Sequence, residues 1–131
     1  MIHHVINILK ADSDVTTYVP ANNIFPLVRL QGSQIPAIVL QLVGSEPFDT
    51  KDRSPDFDLW RVEITVFNEN PKDTWLACLA VRNALDSFAG NDNVRQIRMT
   101  NAVSDVFEQI EVFSVTQQYD VLMTKRTIAN P

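Results

Sequence analysis

Ile35-Pro-Ala-Ile-Val-Leu-Gln-Leu-Val43, Trp60-Arg-Val-Glu-Ile-Thr-Val-Phe67 and Asn70-Pro-Lys-Asp73, in that order, decide the fold of this 131-residue chain. In the first, Ile38, Leu40 and Leu42 alternate with Ala37, Val39 and Val43, so both faces are largely apolar. That pattern predicts a strand covered on both sides, within the subunit or by a neighbour. Pro36 fits only near the start of such a strand. In the second, Trp60, Val62, Ile64 and Val66 alternate with Arg61, Glu63 and Thr65, which predicts a strand with one buried face. The third opens a helix. Asn70 can accept hydrogen bonds as the N-cap, Pro71 suits the first helical position, and Asp73 favours the positive end of the dipole. Ala77, Cys78, Val81, Ala84, Leu85 and Phe88 then form one core-facing stripe. Gly90 stands where a left-handed residue commonly ends a helix.

Outward from this block the signals weaken. Ile2, Val5, Ile6 and Leu9 have helical spacing, and Asp12-Ser-Asp14 can cap a further turn before Tyr18-Val-Pro20. Residues 22–30 read as irregular, with a brief strand at Ile24-Phe25, and Gln31-Gly-Ser-Gln34 as a turn. Residues 44–58 hold two prolines and many charges, the composition of one long mobile loop. Val94–Thr100 and Val103–Glu111 are two strand candidates. A clearer one spans Val112–Thr124, with Phe113, Val115, Tyr119, Val121 and Met123 on one face and Gln117 interrupting it. The expectation is a single α+β domain over residues 1–131. It comprises a mostly antiparallel sheet of about four to five strands, one main helix across it, and a short N-terminal helix.

Composition excludes more than it assigns. A net charge of −5 without a Lys/Arg run argues against a surface built to neutralise phosphates, and so against sequence-specific nucleic-acid binding. No apolar run approaches the ~20 residues of a membrane span. The N-terminal stretch lacks a basic flank and a long apolar segment, so synthesis in the cytoplasm is expected. One cysteine cannot form an intrachain disulfide or a cysteine-based zinc cluster.

The candidates for chemistry are few. His3 and His4 are adjacent on a helix, where neighbours diverge by roughly 100°, and no third histidine completes a metal site. Cys78 lies inside the apolar stripe, where burial raises a thiol's pKa and suppresses nucleophilicity. Asp49, Asp52, Asp56 and Asp58 suggest a calcium loop. The alternating ligand positions counted from Asp49, however, hold Lys51 and Arg53, and the required glycine is missing. An enzyme using Asp52, Arg53 or Asp58 would need convergent groups in a pocket, which this loop does not supply. Gln117 reads as a buried amide satisfied by its neighbours. Trp60 and Trp75 read as core or interface. No catalytic residue, metal site or cofactor is expected. Asp49, Lys51, Asp52, Arg53, Asp56 and Asp58 remain as a candidate subunit or partner interface.

The ordered set Pro36-Ala-Ile-Val-Leu-Gln-Leu-Val-Gly-Ser-Glu-Pro47, Asp49-Thr-Lys-Asp52, Arg61-Val-Glu-Ile-Thr-Val-Phe67 and Leu79-Ala-Val-Arg-Asn-Ala-Leu-Asp86 resembles the tail-completion or tail-terminator proteins of long-tailed bacteriophages and prophages. Asp14-Val-Thr-Thr and Asn23-Ile-Phe-Pro26 fit the same pattern. The resemblance implies a non-enzymatic structural protein forming a ring, usually of six copies. Such a ring caps the head-proximal end of the tail tube, stops its polymerisation and offers the head–tail joining surface. Its implied partners are other copies of itself, the tail tube protein and the head-side connector or neck protein. Its implied place is the virion tail, after assembly in the bacterial host cytoplasm. Another head–tail adaptor, neck or minor tail protein is the alternative that the same motifs allow.

Overall fold

A computed structural model describes residues 2–26, 35–50, 53–90, 94–107 and 112–124. Two short helices, α1 (Ile2–Ala11) and α2 (Ser13–Tyr18), precede a 3-10 turn at Ala21–Asn23 and strand β1 (Ile24–Pro26). There follow β2 (Ala37–Thr50), β3 (Arg53–Asn68), helix α3 (Pro71–Asp86), β4 (Val94–Phe107) and β5 (Val112–Thr124). The five strands form one mixed sheet in the order β1-β2-β3-β5-β4. Only β1 runs parallel to its neighbour, and the other three pairings are antiparallel. The expected α+β architecture is present.

The sheet is organised around β3. Val62, Ile64 and Val66 point to the helix side and are almost fully buried, as the alternation of residues 60–67 requires. Register sets Ile38, Val66 and Val115 in one row, and Leu40, Ile64 and Gln117 in the next. Val5, Ile6 and Leu9 of α1, Val15 of α2, and Ala77, Cys78, Val81, Ala84 and Leu85 of α3 close over these rows. Each large aliphatic side chain so buried contributes about 1.5–3 kcal/mol.

The helix starts follow their capping signals. Asp12 Oδ1 accepts from the amides of Asp14 and Val15, and Asn70 Oδ1 accepts from those of Lys72 and Asp73. Helix α3 ends at Asp86, with the Ser87 amide donating to the carbonyls of Asn83 and Leu85. Gly90 does take a positive φ of 93°, but it lies past the helix end, against the Arg95 backbone.

Three sequence expectations differ from the structure. Where one long loop is expected over residues 44–58, the described backbone is strand on both sides of residues 51–52, with Pro47 opposite Asp58 and Thr50 opposite Arg53. Both prolines are tolerated because, among the described residues, each has ladder partners on one side only. The β1 pairing ends at Leu40 and the described β5 pairing ends at Phe57. Residues 94–107, expected as parts of two strands, form one, with register shifts after Val94 and after Met99. Each shift inserts an extra residue and reverses the phase of alternation, which breaks the period-two pattern in the sequence. Leu42 and Val43, expected on covered faces, are 40% and 53% exposed, because cover on β2 stops at Leu40.

A Cβ at Gly90 would lie 2.8 Å from the Arg95 carbonyl oxygen, and φ is in the left-handed region. Gly90→Ala is therefore expected to cost about 1–3 kcal/mol in urea unfolding. Gly44, whose Cβ position has nothing within 4 Å, should tolerate alanine within about 1 kcal/mol.

Candidate functional site

The helices cover one face of the sheet, and the described side chains of the other face form rows that mix polar and apolar residues. Thr65 and Thr116, opposite each other on β3 and β5, share a hydroxyl hydrogen bond of 2.9 Å. In the next row Gln118 Nε2 donates to Glu63 Oε1 at 2.9 Å, and Thr100 Oγ1 donates to the Gln118 carbonyl at 3.3 Å. The third row places Arg61, Asp120 and Arg98 side by side across β3, β5 and β4. Arg61 Nε stands 3.9 Å from Asp120 Oδ1, with 59% of the arginine side chain exposed, so the pair contributes at most ~1 kcal/mol. The fourth row sets Leu59 opposite Leu122, with Gln96 beyond. Open hollows lie along this face: about 380 Å³ over the first two rows, about 240 Å³ over the second and third, and about 300 Å³ lined by Leu59, Gln96, Arg98, Asp120 and Leu122.

The second feature is the end of the β2–β3 hairpin. Its strands stay in register out to Phe48 opposite Phe57 and Thr50 opposite Arg53. The last described pairing with β5 is Phe57 with Thr124, and residues 53–56 continue the β2–β3 ladder about 13 Å beyond it as the outer arm of the hairpin. Of the residues expected to form an interface, Asp49 lies in β2, Arg53 and Asp56 in the outer part of β3, and Asp58 at the root of the arm. Lys51 and Asp52 fall outside the described residues. Backbone pairing thus gathers Asp49, Arg53, Asp56 and Asp58 onto one arm rather than around a pocket.

The buried polar groups serve the core. Gln117 Nε2 donates to the Cys78 carbonyl at 3.2 Å, and the Tyr119 hydroxyl donates to Gln117 Oε1 at 3.0 Å. The amide that interrupts the apolar face of β5 therefore ties that strand to α3 and is satisfied on both ends. Burial, helped by the Asp86 charge, pushes the Tyr119 phenol well above its ordinary value. The His3 and His4 rings lie 4.1 Å apart, closer than neighbouring helical positions suggest. Burial first, and the neighbouring His3 second, lower the His4 pKa. Among the described residues no group of three His, Cys, Asp or Glu side chains could hold a metal ion, and no helix is long and apolar enough to cross a membrane. Trp75, expected in a core or interface, is 56% exposed on the outer side of α3, one turn from the equally exposed Leu79. Trp60 packs against the core at the root of the arm. Its indole nitrogen is a buried donor with no acceptor among the described residues. The exposure of Trp75 was not legible in the sequence, because the periodicity of α3 allows a wider apolar stripe than the sheet covers.

The family model described as Tail completion protein gp17 matches residues 3–124. A chain in a solved structure described as the virion of a native gene transfer agent particle is similar in fold, with a TM-score of 0.67. Identity to it is 14%, over 92% of this chain and 91% of that one. No curated protein matches the chain.

Burial raises the Cys78 pKa to about 12 from an ordinary value of 9.0. The folded protein therefore holds the protonated thiol, whereas the unfolded chain ionises it near the ordinary value. Stability linked to this group is full below pH ~9 and falls as pH rises from there toward ~12. Alkylation at pH 8.5 should be at least tenfold slower for native protein than for protein in denaturant. Equal rates would mean that Cys78 is accessible.

Proposed function

The chain belongs to the Tail completion protein gp17 family, and from that premise we propose that this phage tail structural protein is a non-enzymatic tail terminator. On this reading, copies assemble head to tail into a ring, with six as the family-like number. The ring sits at the head-proximal end of the tail tube, ends tube polymerisation and presents a surface to the head-side connector. The observation that carries the reading is the family match over nearly the whole length. The geometry is compatible with it. The described residues offer no convergent catalytic set, while the extended arm and the open sheet face are two dissimilar surfaces, as a heterologous contact requires.

On the open face Arg61 Nε lies 3.9 Å from Asp120 Oδ1. A net charge of −5 over the whole chain would repel neighbours most at low salt.

Light scattering across concentration and ionic strength tests the ring, and addition of the protein to polymerising tail tube tests the cap. The expected results are a particle of about six chain masses, alone or on tube ends, and tubes that stop growing at substoichiometric protein. A chain that stays monomeric under all conditions and leaves tube growth unchanged would overturn the reading.

A further inference from the structure

We propose that the outer face of α3 in one copy docks on the open face of the sheet in a second copy, which deepens the ring reading and rests on it. Trp75 and Leu79 then seat in the hollow over the first two rows. On α3 the buried residues Ala77, Cys78, Val81, Ala84 and Leu85 face the sheet, which turns Lys72, Trp75, Leu79, Arg82 and Asp86 outward as one exposed ridge. Trp75 and Leu79 stand one turn apart and are 56% and 54% exposed. They form an adjoining apolar pair, unlike the single apolar residues scattered over any surface. Arg82 Nε lies 3.3 Å from Asp86 Oδ2 within the ridge, so Lys72 leaves it with two cations against one carboxylate.

The hollow of about 380 Å³ supplies the complement, and Glu63 is the one charged side chain that lines it. Gln118 Nε2 donates to Glu63 Oε1, which fixes the carboxylate in place. Val103, 58% exposed on β4, offers an apolar contact for Leu79. The Thr65 and Thr116 hydroxyls and the Asn101 and Gln118 amides, which also line the hollow, offer acceptors for the Trp75 indole N–H, which needs one once buried. The spacing agrees as well. From Lys72 to Leu79 the helix rises about 10.5 Å. Glu63 and Val103 lie two strands and one row apart, a diagonal of about 12 Å. Lys72 over Glu63 therefore brings Leu79 over Val103, with Trp75 between them. Opposite charges at one end and an apolar anchor at the centre make a specific contact.

Charge and topology together identify the occupant as another copy. The ridge points away from the sheet, and the hollow opens on the side of the sheet that the helices leave bare, so no copy can seat its own ridge. A second copy carries the same ridge, whose sign and length both match the hollow. The neighbour's α3 then supplies a second helical layer, and the sheet is covered on both faces. Ridge and hollow are different surfaces, so the contact is heterologous, and repetition of it closes a ring when the rotation allows.

Site-directed cross-linking tests the contact. The parent chain, whose one cysteine is the buried Cys78, serves as the control. Leu79→Cys and Val103→Cys are made singly and together, and each protein is treated with a short bismaleimide in solution and on tail-tube ends. Neither single variant should cross-link to itself. An equimolar mixture of the two should give dimers, and the doubly substituted chain a ladder of multimers. A truncation variant, Trp75→Ala with Leu79→Ala, removes only exposed side chains. It should keep the parent melting temperature by circular dichroism and associate at least tenfold more weakly by light scattering. If the mixture gives no dimer, if a single variant cross-links to itself, or if the folded truncation variant assembles like the parent, this contact is overturned while the ring stands on other surfaces. If the parent chain assembles neither in solution nor on tube ends, both fall.

Discussion

The register of β3 between β2 and β5 is the constraint on which the rest of the structure depends. With Val66 opposite Ile38 and Val115, and Ile64 opposite Leu40 and Gln117, the even positions of β3 from Trp60 to Val66 meet the helix layer. A slip of one residue would turn Arg61, Glu63 and Thr65 into the core and expose Val62, Ile64 and Val66. The Gln117 amide reinforces the correct register. It can reach the Cys78 carbonyl and the Tyr119 hydroxyl only when β5 faces α3 in this phase. Losing one partner would leave a buried polar group unsatisfied, a penalty of about 1–3 kcal/mol.

The same register builds the open face of the sheet. Once the even positions of β3 are committed to the core, the odd ones must form the open face, in rows that include Arg61, Asp120 and Arg98. Continuing that pairing past Phe57 produces the arm. Core, open face and arm are thus three consequences of one alignment. This economy fits a structural protein of the phage tail, whose job lies in its surfaces.

Much of this was legible in the sequence. The alternation of residues 60–67, the Asn70-Pro71 start and the α3 stripe each report one local rule, and each element formed as read. Gln117 was readable as a satisfied buried amide, because a lone polar residue on an apolar face needs partners. The arm was not legible. Proline, glycine and charge between Gly44 and Asp58 are loop signals on a single-chain view, and they become acceptable in strands where, among the described residues, the outer pairings end at Leu40 and Phe57. The single strand β4 was hidden for a different reason, since its two register shifts break the alternation that reveals a strand. The rows of the open face were missed because Leu59, Arg61, Arg98 and Leu122 come from three strands distant in sequence, and only tertiary pairing makes them neighbours.

Amide hydrogen exchange over residues 44–57, compared between the isolated chain and the chain assembled on tail-tube ends, tests the central claim most directly. The account predicts that in the isolated chain these amides exchange well before those of Val62–Val66. On assembly they should slow at least tenfold. Unchanged exchange in the arm on assembly, with protection arising elsewhere, would contradict it.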